Sequence, residues 1–197
     1  MIKIKRAYTD FIKTIFLGQR AYFVELDTFG FSDEEESVAV ACASFPIVYI
    51  YGEEPFKQNK PVSELCKLIQ KSNPYTRIII ETDGMIRPAG MNTIKNVQYI
   101  VRAKTKKSGI SFDRRVNENS WNWLSKAGAF FIFPVEDKDD FEEVNTIMSA
   151  LIIKKHQIFI DITCKEFSAM AFLTLNYGYN IYVDYEGDWV DKDEPDE

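Results

Sequence analysis

Ile47-Val48-Tyr49-Ile50-Tyr51-Gly52-Glu53-Glu54-Pro55 opens the stretch that decides the fold. Apolar and aromatic residues in an unbroken run, β-branched at Ile47, Val48 and Ile50, predict a buried strand. The Gly-Glu-Glu-Pro that follows predicts a loop leaving the sheet. Val62, Leu65, Leu68 and Ile69 then recur at helical spacing on one face. Arg77-Ile78-Ile79-Ile80-Glu81-Thr82-Asp83-Gly84 repeats the first pattern, a strand ending in a polar turn with a glycine. Strand, amphipathic helix and strand in this order form a βαβ unit, the building block of a parallel sheet.

The same alternation extends in both directions. Further strands are predicted at Ala21–Leu26, Val38–Ala43, Val97–Ala103, Ala129–Val135, Gln157–Ile162 and Asn180–Val183. Trp121 and Leu124 mark one more helix. Phe141, Val144, Ile147, Met148 and Leu151 mark another, after the Asp139-Asp140 start signal. Phe167, Met170, Ala171 and Leu175 mark the last, closed by Gly178. The expected class is α/β, a mostly parallel sheet with right-handed crossovers. Residues 1–184 read as a single domain and residues 185–197 as an acidic C-terminal tail.

Composition narrows the function. A formal net charge of −6 argues against an electrostatic nucleic-acid binder. No apolar run reaches the ~18 residues of a membrane span, and the alternating Met1-Ile2-Lys3-Ile4-Lys5-Arg6 lacks a signal peptide's apolar stretch. Cys42, Cys66 and Cys164 lie far apart in apolar-periodic segments. They read as small core residues in a cytoplasmic protein without disulfides. The clusters Asp33-Glu34-Glu35-Glu36 and Asp184 to Glu197 read as solvated charge.

Ligands of parallel α/β sheets gather at the carboxyl ends of the strands. Four loops expected there are polar: Gly52-Glu53-Glu54-Pro55, Glu81-Thr82-Asp83-Gly84, Lys104 to Gly109, and Glu136-Asp137-Lys138-Asp139. Gly and Asp after strands also serve plain turns and helix caps. Together the four loops point to a pocket for a polar, nucleotide-like ligand.

Residue order then carries a resemblance. Gly18-Gln19-Arg20-Ala21-Tyr22-Phe23-Val24-Glu25-Leu26, Tyr51-Gly52-Glu53-Glu54-Pro55-Phe56-Lys57-Gln58, Glu81-Thr82-Asp83-Gly84, Arg102-Ala103-Lys104 with Ser108-Gly109, and Phe131-Ile132-Phe133-Pro134-Val135 follow one another from about Phe11 to Ile147. This series resembles 7-carboxy-7-deazaguanine synthase, a radical S-adenosylmethionine (SAM) enzyme family. The resemblance implies a partial (β/α) barrel of the radical-SAM type. It also implies a SAM-side pocket at Gly52, Glu54, Gln58, Thr82, Gly84 and Lys104. Two departures stand out: Glu53 replaces a glycine expected beside the methionine amino group, and Arg102 replaces a serine expected against SAM. The largest departure is Asp27-Thr28-Phe29-Gly30-Phe31-Ser32, which occupies the cysteine loop and holds no cysteine. A degenerate relative is therefore expected, a pseudoenzyme that binds SAM without a cluster, a purine, or a protein partner.

Other chemistries have thinner support. His156 is the sole histidine, sits away from the expected rim, and reads as a surface residue. Acidic pairs at Glu81 and Asp83, Asp137 and Asp139, or Asp191 and Asp193 offer oxygen ligands for a hard cation. Of these, Glu81 with Asp83 at a strand end fits the alternative of a glycosyltransferase holding Mn or Mg with a nucleotide sugar. A third alternative is a non-enzymatic interaction protein. Trp121 and Trp123 point to different helix faces, and exposure of one would mark a homodimer contact.

Overall fold

The computed structural model describes residues 1–13, 15–16, 18–163 and 167–182. Among these residues nine strands form one open sheet in the order β3-β1-β2-β4-β5-β6-β7-β8-β9. They are β1 (Ile2–Phe11), β2 (Arg20–Leu26), β3 (Phe31–Asp33), β4 (Ile47–Gly52), β5 (Arg77–Thr82), β6 (Val97–Arg102), β7 (Phe130–Val135), β8 (Ile158–Ile162) and β9 (Asn180–Tyr182). From β2 onward every pairing is parallel, while β1 runs antiparallel to both β2 and β3. The sheet does not close, so the fold is an α/β partial barrel; the strand–helix alternation predicts the mostly parallel α/β class, and the resemblance implies the partial barrel.

Among the described residues six α-helices connect the strands: α1 (Glu35–Ala43), α2 (Asn59–Ser72), α3 (Phe112–Arg115), α4 (Glu118–Lys126), α5 (Lys138–Ala150) and α6 (Phe167–Tyr177). Strand residues alternate between the two faces of the sheet. Val48, Ile50, Ile78, Ile80, Val101, Phe131 and Phe133 face the helices and meet Leu65, Ile69, Trp121, Leu124, Val144 and Ile147 in the larger core. Ile47, Tyr49, Ile79, Ile100, Ile132 and Tyr182 face the other way and form a smaller, concave-side core with Ile12.

The strand expected at Val38–Ala43 is instead helix α1. Its run of small and β-branched residues follows Glu34, Glu35 and Glu36, and acidic residues stabilise the positive end of a helix. Val38, Ala39 and Cys42 then fall on one buried helical face. The cluster at residues 33–36 therefore does more than sit in solvent: Glu35 lies 2.9 Å from the Met1 ammonium. Strands β1 and β3 had no counterpart in the periodic pattern. In β1 the register with β2 slips between Ile4, opposite Leu26, and Arg6, opposite Glu25, which is a β-bulge at Lys5. The slip moves the even-numbered residues from the helix-facing core, at Ile2 and Ile4, to the concave side, at Arg6, Tyr8, Asp10 and Ile12.

Neither expected contact tryptophan stands free. Trp121 is fully buried against Phe131 and Phe133, and Trp123 is half-buried against Tyr99. Among the described residues no helix is long and apolar enough to cross a membrane. Cys164, the tail at 185–197 and the pair Asp191 and Asp193 lie outside the described residues.

Candidate functional site

The last concave-facing residues of four consecutive parallel strands are Glu25, Tyr51, Glu81 and Arg102, from β2, β4, β5 and β6. One position behind them stand Phe23, Tyr49, Ile79 and Ile100. This arrangement follows from the period-two alternation of strands whose carboxyl ends lie side by side. A cavity of about 370 Å³ opens above them, lined by Tyr8, Phe23, Tyr49, Tyr51, Glu81 and Arg102, with Arg6, Asp10 and Lys13 from the β1 side.

The rings of Tyr8, Phe23 and Tyr49 stack across the strands with centroids 5.3 and 5.1 Å apart. They form one aromatic row in the lining of the cavity, with Tyr51 set nearly perpendicular to Phe23, and such a surface suits a flat ring. The polar groups form two linked sets. In the first, Glu25 accepts from Lys5 at 2.8 Å, from Tyr51 at 3.0 Å, and from Arg6, while the hydroxyls of Tyr51 and Tyr8 meet at 2.8 Å. Burial opposes the charge on Glu25, but these donors outweigh it and hold the carboxyl below its usual range.

In the second set, the Tyr49 hydroxyl donates to Glu81 Oε2 at 2.6 Å, and Arg102 Nε lies 3.4 Å from the same oxygen. Arg102 also donates to the Tyr182 hydroxyl at 3.1 Å and lies over its ring. Burial would weaken the Arg102 charge, yet Glu81 and Tyr182 push its pKa above the usual arginine value. Both contacts to Glu81 fall on one oxygen. Oε1 has no hydrogen bond or ion pair among the described residues, so an acceptor and a guanidinium stand side by side at the wall of the cavity.

Of the residues singled out from the sequence, Glu81 and Arg102 line this cavity, and the others lie around it. Glu54 is buried and accepts from the Phe56 amide at 2.9 Å, the Asp83 amide at 2.8 Å and the Thr82 hydroxyl at 2.9 Å. Thr82 in turn accepts from the Gly84 amide at 3.0 Å, so Glu54, Thr82 and Gly84 form one knot that ties the β4 loop to the end of β5. Gln58 exchanges two hydrogen bonds with the backbone of Lys3, at 2.7 and 3.0 Å. Gly52 ends β4 against Leu26. Lys104 lines a second cavity of about 280 Å³ with Thr105, Ser108, Pro134 and Asp161, and Arg102 borders both cavities. The loop that carries Lys104 is fastened below by Arg115, which pairs with Glu143 and donates to the Lys104 carbonyl at 3.2 Å.

Glu81 and Asp83 do not converge. Glu81 belongs to the concave wall, while Asp83 accepts from the Met85 amide at 2.9 Å on the side of Glu54. Among the described residues no three His, Cys, Asp or Glu side chains are grouped to hold a metal ion. In the segment matching the cysteine loop, the Thr28 hydroxyl donates to Glu53 at 2.6 Å, and Lys57 pairs with Glu53 as well. Cys42 and Cys66 are buried in α1 and α2, and burial pushes the Cys42 thiol up to about 12 and Cys66 further in the same direction. His156 is exposed.

Sequence reasoning missed Glu25, Tyr8, Tyr49 and Tyr51. For Glu25, Tyr49 and Tyr51 the period-two alternation of a predicted strand groups each with the residue two positions on, while Tyr8 lies on β1, which no periodic pattern marks.

No family model and no curated protein matches the chain. Among solved structures, QueE from Escherichia coli superimposes with a TM-score of 0.67 over 92% of each chain, at 14% sequence identity. The chain therefore has a QueE-like fold.

Proposed function

We propose that the chain is a degenerate relative of 7-carboxy-7-deazaguanine synthase that binds a purine-like ligand, SAM or a free purine, in the concave cavity, without an iron–sulfur cluster. The observation that carries this is the pairing of an aromatic floor with Glu81 and Arg102 on one wall. A purine is flat and bears hydrogen-bond donors and acceptors around its rim, and this cavity offers aromatic rings with an acceptor and a donor beside them. A longer ligand such as SAM would pass Arg102 and extend toward Lys104 and Asp161, which suit a carboxylate and an ammonium group respectively. In this scheme Gly52, Glu54, Gln58, Thr82 and Gly84 shape the rim rather than touch the ligand.

A [4Fe–4S] cluster that cleaves SAM needs three thiolates from one loop. Residues 27–32 supply none, and the two described thiols are buried elsewhere and held protonated. These residues do not fit the group, and no radical step follows from them.

A thermal-shift screen with SAM, S-adenosylhomocysteine, 7-deazaguanine, guanine, and nucleotide sugars with and without Mn²⁺ tests the proposal. A purine or SAM is expected to stabilise the protein, by about 2.7 kcal/mol at a hundred times Kd. Arg102→Met and Glu81→Gln are each expected to weaken that binding about tenfold, the loss of one charge-assisted hydrogen bond. Stabilisation by a nucleotide sugar only in the presence of Mn²⁺ would replace this proposal with the transferase. No shift with any ligand would leave a protein partner as the occupant to seek.

A further inference from the structure

The helix-covered side of the sheet holds another cavity, of about 440 Å³, between α4 and the loop joining β5 to β6. Its lining is apolar where it is deep: Met91 and Tyr99 are buried, and Ile94, Val97 and Trp123 half-buried. The exposed residues at its mouth are Asn92, Lys126 and Ala127. Trp123 meets Tyr99 edge-on at 5.5 Å, and its indole N–H donates to Asn92 Oδ1 at 3.1 Å.

The loop forming one wall is fixed at several points. Gln70 of α2 exchanges hydrogen bonds with the Lys95 backbone, Asn59 accepts from the Ala89 amide at 2.6 Å, and Asn117 donates to the Met85 carbonyl at 3.0 Å. A cavity pinned from both flanking helices is formed before any ligand arrives, which lowers the cost of ordering on binding. Lys126 is the one charged residue in the lining and has no carboxylate partner among the described residues. In a chain of net charge −6, a lone unpaired cation beside an apolar hollow selects an anion with an apolar body.

We infer that this cavity binds an amphipathic monocarboxylate, its alkyl or aryl body on Tyr99 and Trp123 and its carboxylate at Lys126. The site lies on the opposite side of the sheet from the concave cavity and is independent of the purine proposal. Octanoate, 1-octanol and octylammonium share one chain and differ in head charge, so they separate the apolar term from the electrostatic one. Each is titrated into the ¹⁵N-labelled full chain, following the indole N–H resonances, with Trp123 assigned through Trp123→Phe.

Octanoate is expected to shift the Trp123 resonance and to bind about two- to fivefold more tightly than octanol, the range for one exposed charge pair. Octylammonium is expected to bind more weakly than octanol. Lys126→Ala should reduce octanoate to the affinity of octanol, while Ala127→Phe, which fills the mouth, should remove binding of both. Thermal unfolding of each variant checks that it folds. A Trp123 resonance unmoved by octanoate, equal binding of octanoate and octylammonium, or a Lys126→Ala protein that binds octanoate like the parent would each overturn the inference.

Discussion

Glu54→Ala is expected to lower stability by about 3–5 kcal/mol, because the substitution strands three donors at once, two of them buried. The Phe56 amide, the Asp83 amide and the Thr82 hydroxyl all end on this carboxyl, and Phe56 and Thr82 are buried away from water. Glu54→Gln keeps one oxygen for the Phe56 amide and the Thr82 hydroxyl but turns its NH2 onto the Asp83 amide, so it costs less than alanine, about 1–3 kcal/mol near neutral pH.

The pair of variants also carries a pH signature. Burial, reinforced by the neighbouring Asp83 carboxylate, holds the Glu54 carboxyl well above the ordinary 4.5. Its folded state therefore keeps a proton that the unfolded chain releases. Stability from this group is complete below about pH 4.5 and declines as pH rises from there toward the folded-state pKa. Glutamine has no such proton, so the stability gap between parent and Glu54→Gln should narrow as the pH is raised. Urea unfolding from mildly acidic to mildly alkaline pH measures it. A gap that widens with pH would show that Glu54 is ionised in the fold.

Gly52→Ala is the second large effect, about 3–5 kcal/mol. Gly52 has φ +131°, and a Cβ there would lie 2.1 Å from the Leu26 carbonyl oxygen and 2.7 Å from its nitrogen. Both atoms are backbone of the adjacent strand, so the parallel pairing of β2 with β4 must open. Gly109→Ala is the control: it also has positive φ, at +71°, but faces open space, and should cost only about 1 kcal/mol. Equal losses at the two positions would mean that backbone conformation, not the close approach, sets the cost.

Strands β2 and β4 to β9 were legible because buried parallel strands read as continuous apolar runs, and α2, α4, α5 and α6 because one face of each recurs at helical spacing. Strand β1 was not, since its outer half is polar and its bulge breaks the alternation at Lys5. Helix α1 read as a strand because Val38-Ala39-Val40 fits either structure, and only its acidic first turn decides. At the site, loop motifs drew the eye to Glu54, Gln58, Thr82 and Gly84, whose hydrogen bonds run to other parts of the chain. The residues facing the cavity sit inside strands, where Tyr49 and Tyr51 pass for ordinary core. Which face of the sheet lies open depends on its curvature, and no local pattern encodes that.

Calorimetric titration of SAM, guanine and 7-deazaguanine into the parent protein and into Arg102→Met tests the central claim most directly. The account predicts saturable binding of at least one of them to the parent, weakened about tenfold in Arg102→Met while both proteins unfold at similar temperatures. Absence of binding by all three, or binding that Arg102→Met leaves unchanged, would contradict it.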